Sequence, residues 1–206
     1  MIAIIDYGMG NLGSVVNMIK KVGGTSLITS DKNEIKNAKK IILPGVGAFD
    51  NAMKNLADLE LIEIIKEKAL VEKIPIMGIC LGMQLLTMGS EEGELKGFEF
   101  VDAYAKKFDF SSLGETLPIP HMGWNRVYLQ KESQLLQENQ ERENRFYFVH
   151  SYAVECENRE DVLTTTNYGY EFVSSFEKDN IIGCQFHPEK SHKFGMTLFK
   201  NFVEKF

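Results

Sequence analysis

Ile74-Pro75-Ile76-Met77-Gly78-Ile79-Cys80-Leu81-Gly82-Met83-Gln84-Leu85-Leu86 decides how the chain is read. The part through Ile79 is a short apolar run rich in branched residues, the pattern of a buried strand. From Leu81 to Leu86 the spacing changes to that of a helix start. Between them stands Gly78-Ile79-Cys80-Leu81-Gly82, a Gly-x-Cys-x-Gly. This is the nucleophile-elbow pattern with Cys in the place of Ser. The glycines are expected to let the chain turn sharply from strand to helix and to leave Cys80 exposed at the strand tip. A thiol at a helix N-terminus meets the positive end of the dipole, which favours the nucleophilic thiolate. The competing reading is a small buried Cys between two packing glycines, since free Cys is so often buried.

Composition narrows the classes. The 206 residues suffice for one large domain with a full core, and 44% hydrophobic with 25% charged residues is ordinary for a globular chain. A net charge of −6 without a basic cluster argues against nucleic acid as a ligand. The cysteines Cys80, Cys156 and Cys184 have no paired spacing, which fits a reducing cytoplasm better than a disulfide framework. No CxxC or HExxH is present, so no metal site or cofactor is indicated. Ile2-Ala3-Ile4-Ile5 opens directly as a strand, and neither a signal peptide nor a membrane span is expected.

Around the elbow, strands alternate with helices. Strands are expected at residues 2–5, 25–29 and 40–43, the last closed by Pro44-Gly45-Val46-Gly47. Helical spacing covers 11–22, 31–38, 49–56 and 59–68. After Gly89, alternating aromatic-rich runs at 98–105, 126–129, 145–154, 162–166, 172–176 and 181–186 read as partly antiparallel strands. Residues 131–144 read as a surface helix or loop, and 191–206 as a final helix. The fold expected is a single three-layer α/β domain over residues 1–206. Its central sheet is mostly parallel with helices on both faces, and a partly antiparallel strand region is added. Ligands of such sheets bind at the carboxyl ends of strands, where Cys80 and the Pro44 turn both fall.

A rival motif lies near the N-terminus. Gly8-Met9-Gly10-Asn11-Leu12-Gly13 is a G-x-G-x-x-G between strand and helix, with Asp31 about 20 residues on, as in a dinucleotide site. Against that reading, Asp6 would approach a pyrophosphate, and the Cys80 elbow would go unexplained.

The second half offers what a thiol nucleophile needs. The run 181–186 leads into His187-Pro188-Glu189. A His at a strand tip can take the thiol proton, and a carboxylate two residues on can fix its tautomer. His150, inside a strand-like run, is the rival base. His121 and His192 lie in turn-like or solvated contexts. For an oxyanion hole, the N–H of Leu81 is one donor, and the Pro44-Gly45-Val46-Gly47 turn is the best source of a second.

Gly78 to Gln84, Pro44 to Gly47 and His187-Pro188-Glu189 together resemble the class I, triad-type glutamine amidotransferases. Four further segments narrow the resemblance to the glutamine amidotransferase subunits of imidazole glycerol phosphate synthases. They are Asp6-Tyr7-Gly8-Met9-Gly10-Asn11-Leu12, Pro120-His121-Met122-Gly123-Trp124-Asn125, Tyr147-Phe148-Val149-His150-Ser151-Tyr152 and Gln185-Phe186-His187-Pro188-Glu189-Lys190-Ser191. The resemblance implies a glutaminase with Cys80 as nucleophile, His187 as base and Glu189 as orienter. It implies oxyanion contacts from Leu81 and from Gly45, Val46 and Gly47, the last three in a loop that flips when a partner binds its substrate. It places Gln84, His150, Ser151 and Tyr152 against L-glutamine, and Asn11, Trp124, Tyr147 and Lys190 at a partner gate. The partner implied is a (β/α)8-barrel cyclase, in a heterodimer that makes imidazole glycerol phosphate and aminoimidazole carboxamide ribotide for histidine biosynthesis. Similar subunits supply ammonia for surface-sugar amidation, and that acceptor remains open beside it.

Overall fold

The computed structural model describes every residue except 113, 115, 116 and 137–142. The first half runs β1 (Ile2–Ile5), α1 (Leu12–Lys21), β2 (Ser26–Thr29), α2 (Lys32–Lys36), β3 (Lys40–Gly45), α3 (Phe49–Asp58), α4 (Ile62–Lys66), β4 (Ile76–Cys80) and α5 (Leu81–Leu85). The second half runs β5 (Gly89–Ser90), β6 (Ala103–Lys107), β7 (His121–Arg126), β8 (Tyr128–Leu129), β9 (Arg145–His150) and β10 (Tyr152–Cys156). It ends with β11 (Val162–Tyr168), β12 (Tyr170–Lys178), β13 (Ile181–Cys184) and α6 (His192–Lys205).

Local signals account for the early elements. Every β1 residue is buried. Its side chains alternate, with Ala3 and Ile5 in one core cluster and Ile2 and Ile4 in the other. A central strand covered on both faces has to be apolar throughout. In α1 the buried residues Val15, Met18 and Ile19 form one stripe. Asp31 accepts from the N–H groups of Asn33 and Glu34, so it caps α2. Its side chain therefore serves the helix start, not a ribose.

Among the described residues the main sheet has eleven strands, in the order β2-β1-β3-β4-β13-β12-β10-β6-β5, with β11 and β8 branching from β12. The stretch from β2 to β13 is parallel. Beyond it, β13, β12, β10 and β6 pair antiparallel. One core packs β1, β3 and β4 against α3, α4 and α5, and the other packs the opposite face against α1 and α6. A separate two-stranded ribbon, β7-β9, lies beside the sheet. No helix among the described residues is long and apolar enough to cross a membrane.

Several expectations are corrected. β3 runs on through Pro44 and Gly45, which pair with Ile79 and Cys80, so the expected turn begins as strand. The strand expected over 98–105 starts only at Ala103. Phe98, Phe100 and Val101 are instead buried loop residues, with Phe98 N–H donating to Leu85 O at 2.7 Å. The run 145–154 breaks at Ser151 into β9 and β10. His121, expected in a turn-like or solvated setting, is buried in β7. In the segment 131–144, Leu135 and Leu136 are core residues, and Asn201 Nδ2 donates to Leu135 O at 2.9 Å. Residues 137–142 of that segment lie outside the described ones.

The close approach of α5 to β3 rests on Gly82, where a Cβ would collide with the Leu43 carbonyl oxygen, a backbone atom that cannot swing aside. Gly82→Ala is expected to cost about 3 kcal/mol or more in urea unfolding, the upper range for overpacking, or to prevent folding. A cost near zero would mean that the elbow is looser than described.

Candidate active site

Cys80 joins β4 to α5 at φ 54° and ψ −110°, a region that a residue with a Cβ rarely enters. Neither elbow glycine has positive φ. Their absent side chains serve contact instead, since a Cβ on Gly78 would strike the Gly82 carbonyl. The turn strain therefore falls on the cysteine itself, at the position a nucleophile elbow requires. Cys80 is 7% exposed, so the expected exposed side chain is in fact recessed. α5 has five residues, too few for a strong dipole.

The tip of β3 lies beside this elbow, with Gly45 paired to Cys80. The glycine-rich turn after β1 forms its floor. Tyr7, fully buried, donates its hydroxyl to Pro44 O at 2.6 Å, and Asn55 Nδ2 ties Tyr7 O to α3 at 2.9 Å. A Cβ on Gly45 would meet the Tyr7 hydroxyl, and one on Gly47 would meet Met9. Gly47, at φ 124°, also needs the conformational freedom of glycine. The G-x-G-x-x-G thus packs its first residues against the Pro44–Gly47 loop. Burial, and then the charge of Cys80, raise the Tyr7 hydroxyl pKa, so it stays a neutral donor.

His187 follows β13, the parallel neighbour of β4. Its backbone is tethered on both sides. Its N–H donates to Tyr147 O at 2.8 Å, and its carbonyl accepts from Ser191 Oγ at 2.6 Å. His187 Nδ1 and Glu189 Oε1 are 2.7 Å apart, with both side chains almost wholly buried. Nε2 is buried without a hydrogen-bond partner among the described residues. Burial disfavours the charged ring, but the neighbouring Cys80 sulfur and the Glu189 carboxylate outweigh it and push its pKa up to about 9. The raised pKa favours the imidazolium form, which can give a proton from Nε2.

Val46, Gly47, Cys80, Leu81, Gln84, His150, Ser151 and Tyr152 all line one cavity of about 410 Å³. Glu92 lines it too and was not anticipated. Its Oε2 accepts the Phe49 N–H at 2.9 Å and so serves the start of α3, which Ala48 leaves uncapped. A contact between residues so far apart in sequence leaves no spacing signal. A larger cleft of about 530 Å³, lined by Lys106, Arg159 and Tyr170 among others, includes none of Cys80, His187 and Glu189.

His150 is not an available base. Its Nδ1 faces Tyr152 O at 2.7 Å and its Nε2 faces His121 Nδ1 at 3.0 Å. A carbonyl only accepts, so His150 carries its proton on Nδ1 and accepts at Nε2. His121 then donates from Nδ1 and accepts at Nε2 from Asn125 Nδ2 at 3.3 Å. Burial pushes the His121 pKa down to about 4 and, as the largest of several causes, that of His150 down to about 3.

Of the expected gate residues, Trp124 and Tyr147 meet edge to face at 6.4 Å, and Lys190 Nζ lies 5.9 Å from the Tyr147 ring centroid. His192 was not anticipated there; it stacks on Trp124 at 5.6 Å. Asn11 caps α1, accepting from Ser14 N–H at 3.4 Å.

The two histidine environments have opposite linkage. His187, raised, contributes stability that is full below its unfolded pKa and is lost as pH rises through about 9. His121 and His150, lowered, leave protons to the unfolded state, so stability falls as pH drops below about 6.5. Imidazole ¹⁵N spectra at about pH 5.5, below the ordinary histidine value, should show His187 charged and the other two neutral with the proton on Nδ1. A charged His121 or His150 there would contradict the donor chain.

The chain matches the family model described as glutamine amidotransferase class-I over residues 3–206. It is 55% identical over 205 residues to imidazole glycerol phosphate synthase subunit HisH 2 of Methanococcus maripaludis, covering 100% of both chains. It is 46% identical over 204 residues to the protein of the same name from Pseudomonas aeruginosa, covering 99% of each. A solved glutamine amidotransferase superposes with a TM-score of 0.73 at 13% identity, covering 98% of this chain and 99% of its own. That likeness bears on the fold; the sequence matches run the full length, and by them the chain belongs to the class-I glutamine amidotransferases, in the branch of imidazole glycerol phosphate synthase HisH subunits.

Proposed function

We propose that residues 1–206 form one glutaminase domain that hydrolyses L-glutamine to glutamate and hands the ammonia to a (β/α)8-barrel cyclase partner in histidine biosynthesis. One observation carries the reading. The tips of the parallel neighbours β3, β4 and β13 bring a glycine loop, a strained cysteine and a buried His–Glu pair together.

In this reading Cys80 Sγ, as thiolate, attacks the side-chain carbonyl carbon of glutamine. The oxygen takes the electron pair and is held by the Leu81 N–H and by N–H groups of Gly45, Val46 or Gly47. His187 imidazolium protonates the amide nitrogen from Nε2, and ammonia leaves a glutamyl thioester. Neutral His187 then takes a proton from water, whose oxygen attacks the thioester. Glutamate departs and the Cys80 thiolate is restored. Glu189 keeps the Nδ1 proton in place throughout, so Nε2 does the transferring. Gln84, Ser151 and Tyr152 line the cavity where the amino-acid end would lie.

The partner surface is supported by apolar exposure. Met122 is 61% exposed and Trp124 44% exposed on the same ribbon, beside Tyr147, Lys190 and His192. Such a patch, rimmed by polar groups, suits a protein neighbour.

Glutamate release should be measured with and without the cognate barrel subunit and its ribonucleotide ligand. Wild type is expected to turn over when both are present. Cys80→Ala is expected to lose on the order of 10⁴-fold or more, as loss of a covalent nucleophile does. Equal release by Cys80→Ala would sink the triad reading. Release that needs Cys80 but ignores the ribonucleotide would leave the glutaminase and remove the histidine-pathway partner.

A further inference from the structure

Cys80 Sγ has two polar neighbours besides the histidine. The thiol faces the Val149 carbonyl oxygen at 3.8 Å, and Gln185 Nε2 faces the sulfur at 3.8 Å. Gln185 is wholly buried, one residue beyond β13. The two contacts serve opposite states. A carbonyl can only accept, so Val149 suits a protonated thiol and opposes a charged one. An N–H donor binds a charged sulfur more strongly than a neutral one.

The direction of the Gln185 amide is settled from its far end. Tyr152 O, an acceptor only, receives His150 Nδ1–H at 2.7 Å and Gln84 Nε2–H at 3.3 Å. The other hydrogen of Gln84 Nε2 goes to Gln185 Oε1 at 3.2 Å. Gln185 Nε2 is thereby left on the sulfur side. Turned over, the amide would set nitrogen against the Gln84 nitrogen and oxygen against the sulfur, an unpaired arrangement that a buried site penalises. The chain of bonds from Asn125 through His121, His150, Tyr152 O and Gln84 thus aims one donor at Cys80. The single-turn α5 supplies little field of its own, which leaves this donor more to do.

We propose that Gln185 is a further catalytic residue, whose side-chain amide donates to Cys80 Sγ and stabilises the charged sulfur before attack and when the thioester is released. The assignment rests on the Cys80 nucleophile proposed above. Other titratable groups come from the elements around the sulfur. His187 and Glu189 come from the turn after β13, and Tyr7 from the turn after β1. His150, Tyr152 and Glu92 come from the cavity wall. Gln185→Met keeps all of these and removes the donor to the sulfur, together with the Oε1 that accepts from Gln84 Nε2.

The test is the pH dependence of Cys80 alkylation by iodoacetamide in the full chain, read on the Cys80 peptide by mass spectrometry. In Gln185→Met the pH of half-maximal rate should rise by about one unit, and the rate at neutral pH should fall about tenfold. Gln185→Glu still accepts from Gln84 but turns a negative oxygen to the sulfur, and should shift further in the same direction. An unchanged midpoint in folded Gln185→Met overturns the proposal. Should that variant fail to fold, the wild type decides. The Gln185 side-chain amide ¹H and ¹⁵N signals should move as Cys80 titrates and stay flat in Cys80→Ala, and a stationary amide in the wild type overturns it. Glutamate release by Cys80→Ala would instead remove the nucleophile reading while alkylation still reported on the contact.

Discussion

The packing of α5 onto the ends of β3 and β4 is the constraint on which the site depends. Gly78 and Gly82 let backbone meet backbone there, with the Gly82 position pressed against the Leu43 carbonyl. No side chain is available to relax that contact, and the link between strand and helix has to be short. The residue in the link, Cys80, takes a positive φ as a result. The surrounding contacts hold that strain, and they also hold Cys80 in the wall of one cavity. The same closeness sets Gly45 beside Cys80, so the loop that offers N–H groups and the atom that needs them are positioned by one packing event.

A second theme is how burial acts on three histidines within one small region. His187 has a carboxylate and a thiol beside it, and their combined effect exceeds the cost of burying charge. His121 and His150 have only each other, two carbonyl or amide groups and aromatic rings such as Phe108, Phe148 and Phe172 around them. Without a carboxylate, burial prevails and both rings stay neutral. The neutral pair can then serve as a directional chain of donors, which a charged imidazole could not do. Of the three, only His187 has a neighbouring carboxylate that favours its charged form, while the other two are held by their hydrogen bonds.

Much of this was legible in the sequence. The apolar strands, the elbow around Cys80 and the His187-Pro188-Glu189 end of a strand are local patterns, and each maps onto the element expected for it. What misled was local too. His121 read as turn-like because its strand pairs with β9, nearly thirty residues away, and the intervening segment hides the pairing. Phe98 and Phe100 read as strand because aromatic alternation is the same whether a run joins a sheet or pads the underside of α5. The cysteine was expected to be exposed because an elbow implies reach, not depth.

By itself the sequence determined the alternation of strands and helices and the parallel half of the sheet, and it singled out Cys80, His187 and Glu189 as the candidates for nucleophile, base and orienter, because these follow from periodicity and from short-range chemistry. Only the tertiary structure decided that Tyr7 props the Pro44 loop and that Asp31 caps a helix instead of meeting a ribose. It alone placed Glu92 and Gln185 in the site. The physical reason is that these roles are hydrogen bonds and desolvation between residues distant in sequence. Spacing carries no trace of them, and they exist only once parallel strands have brought their ends together.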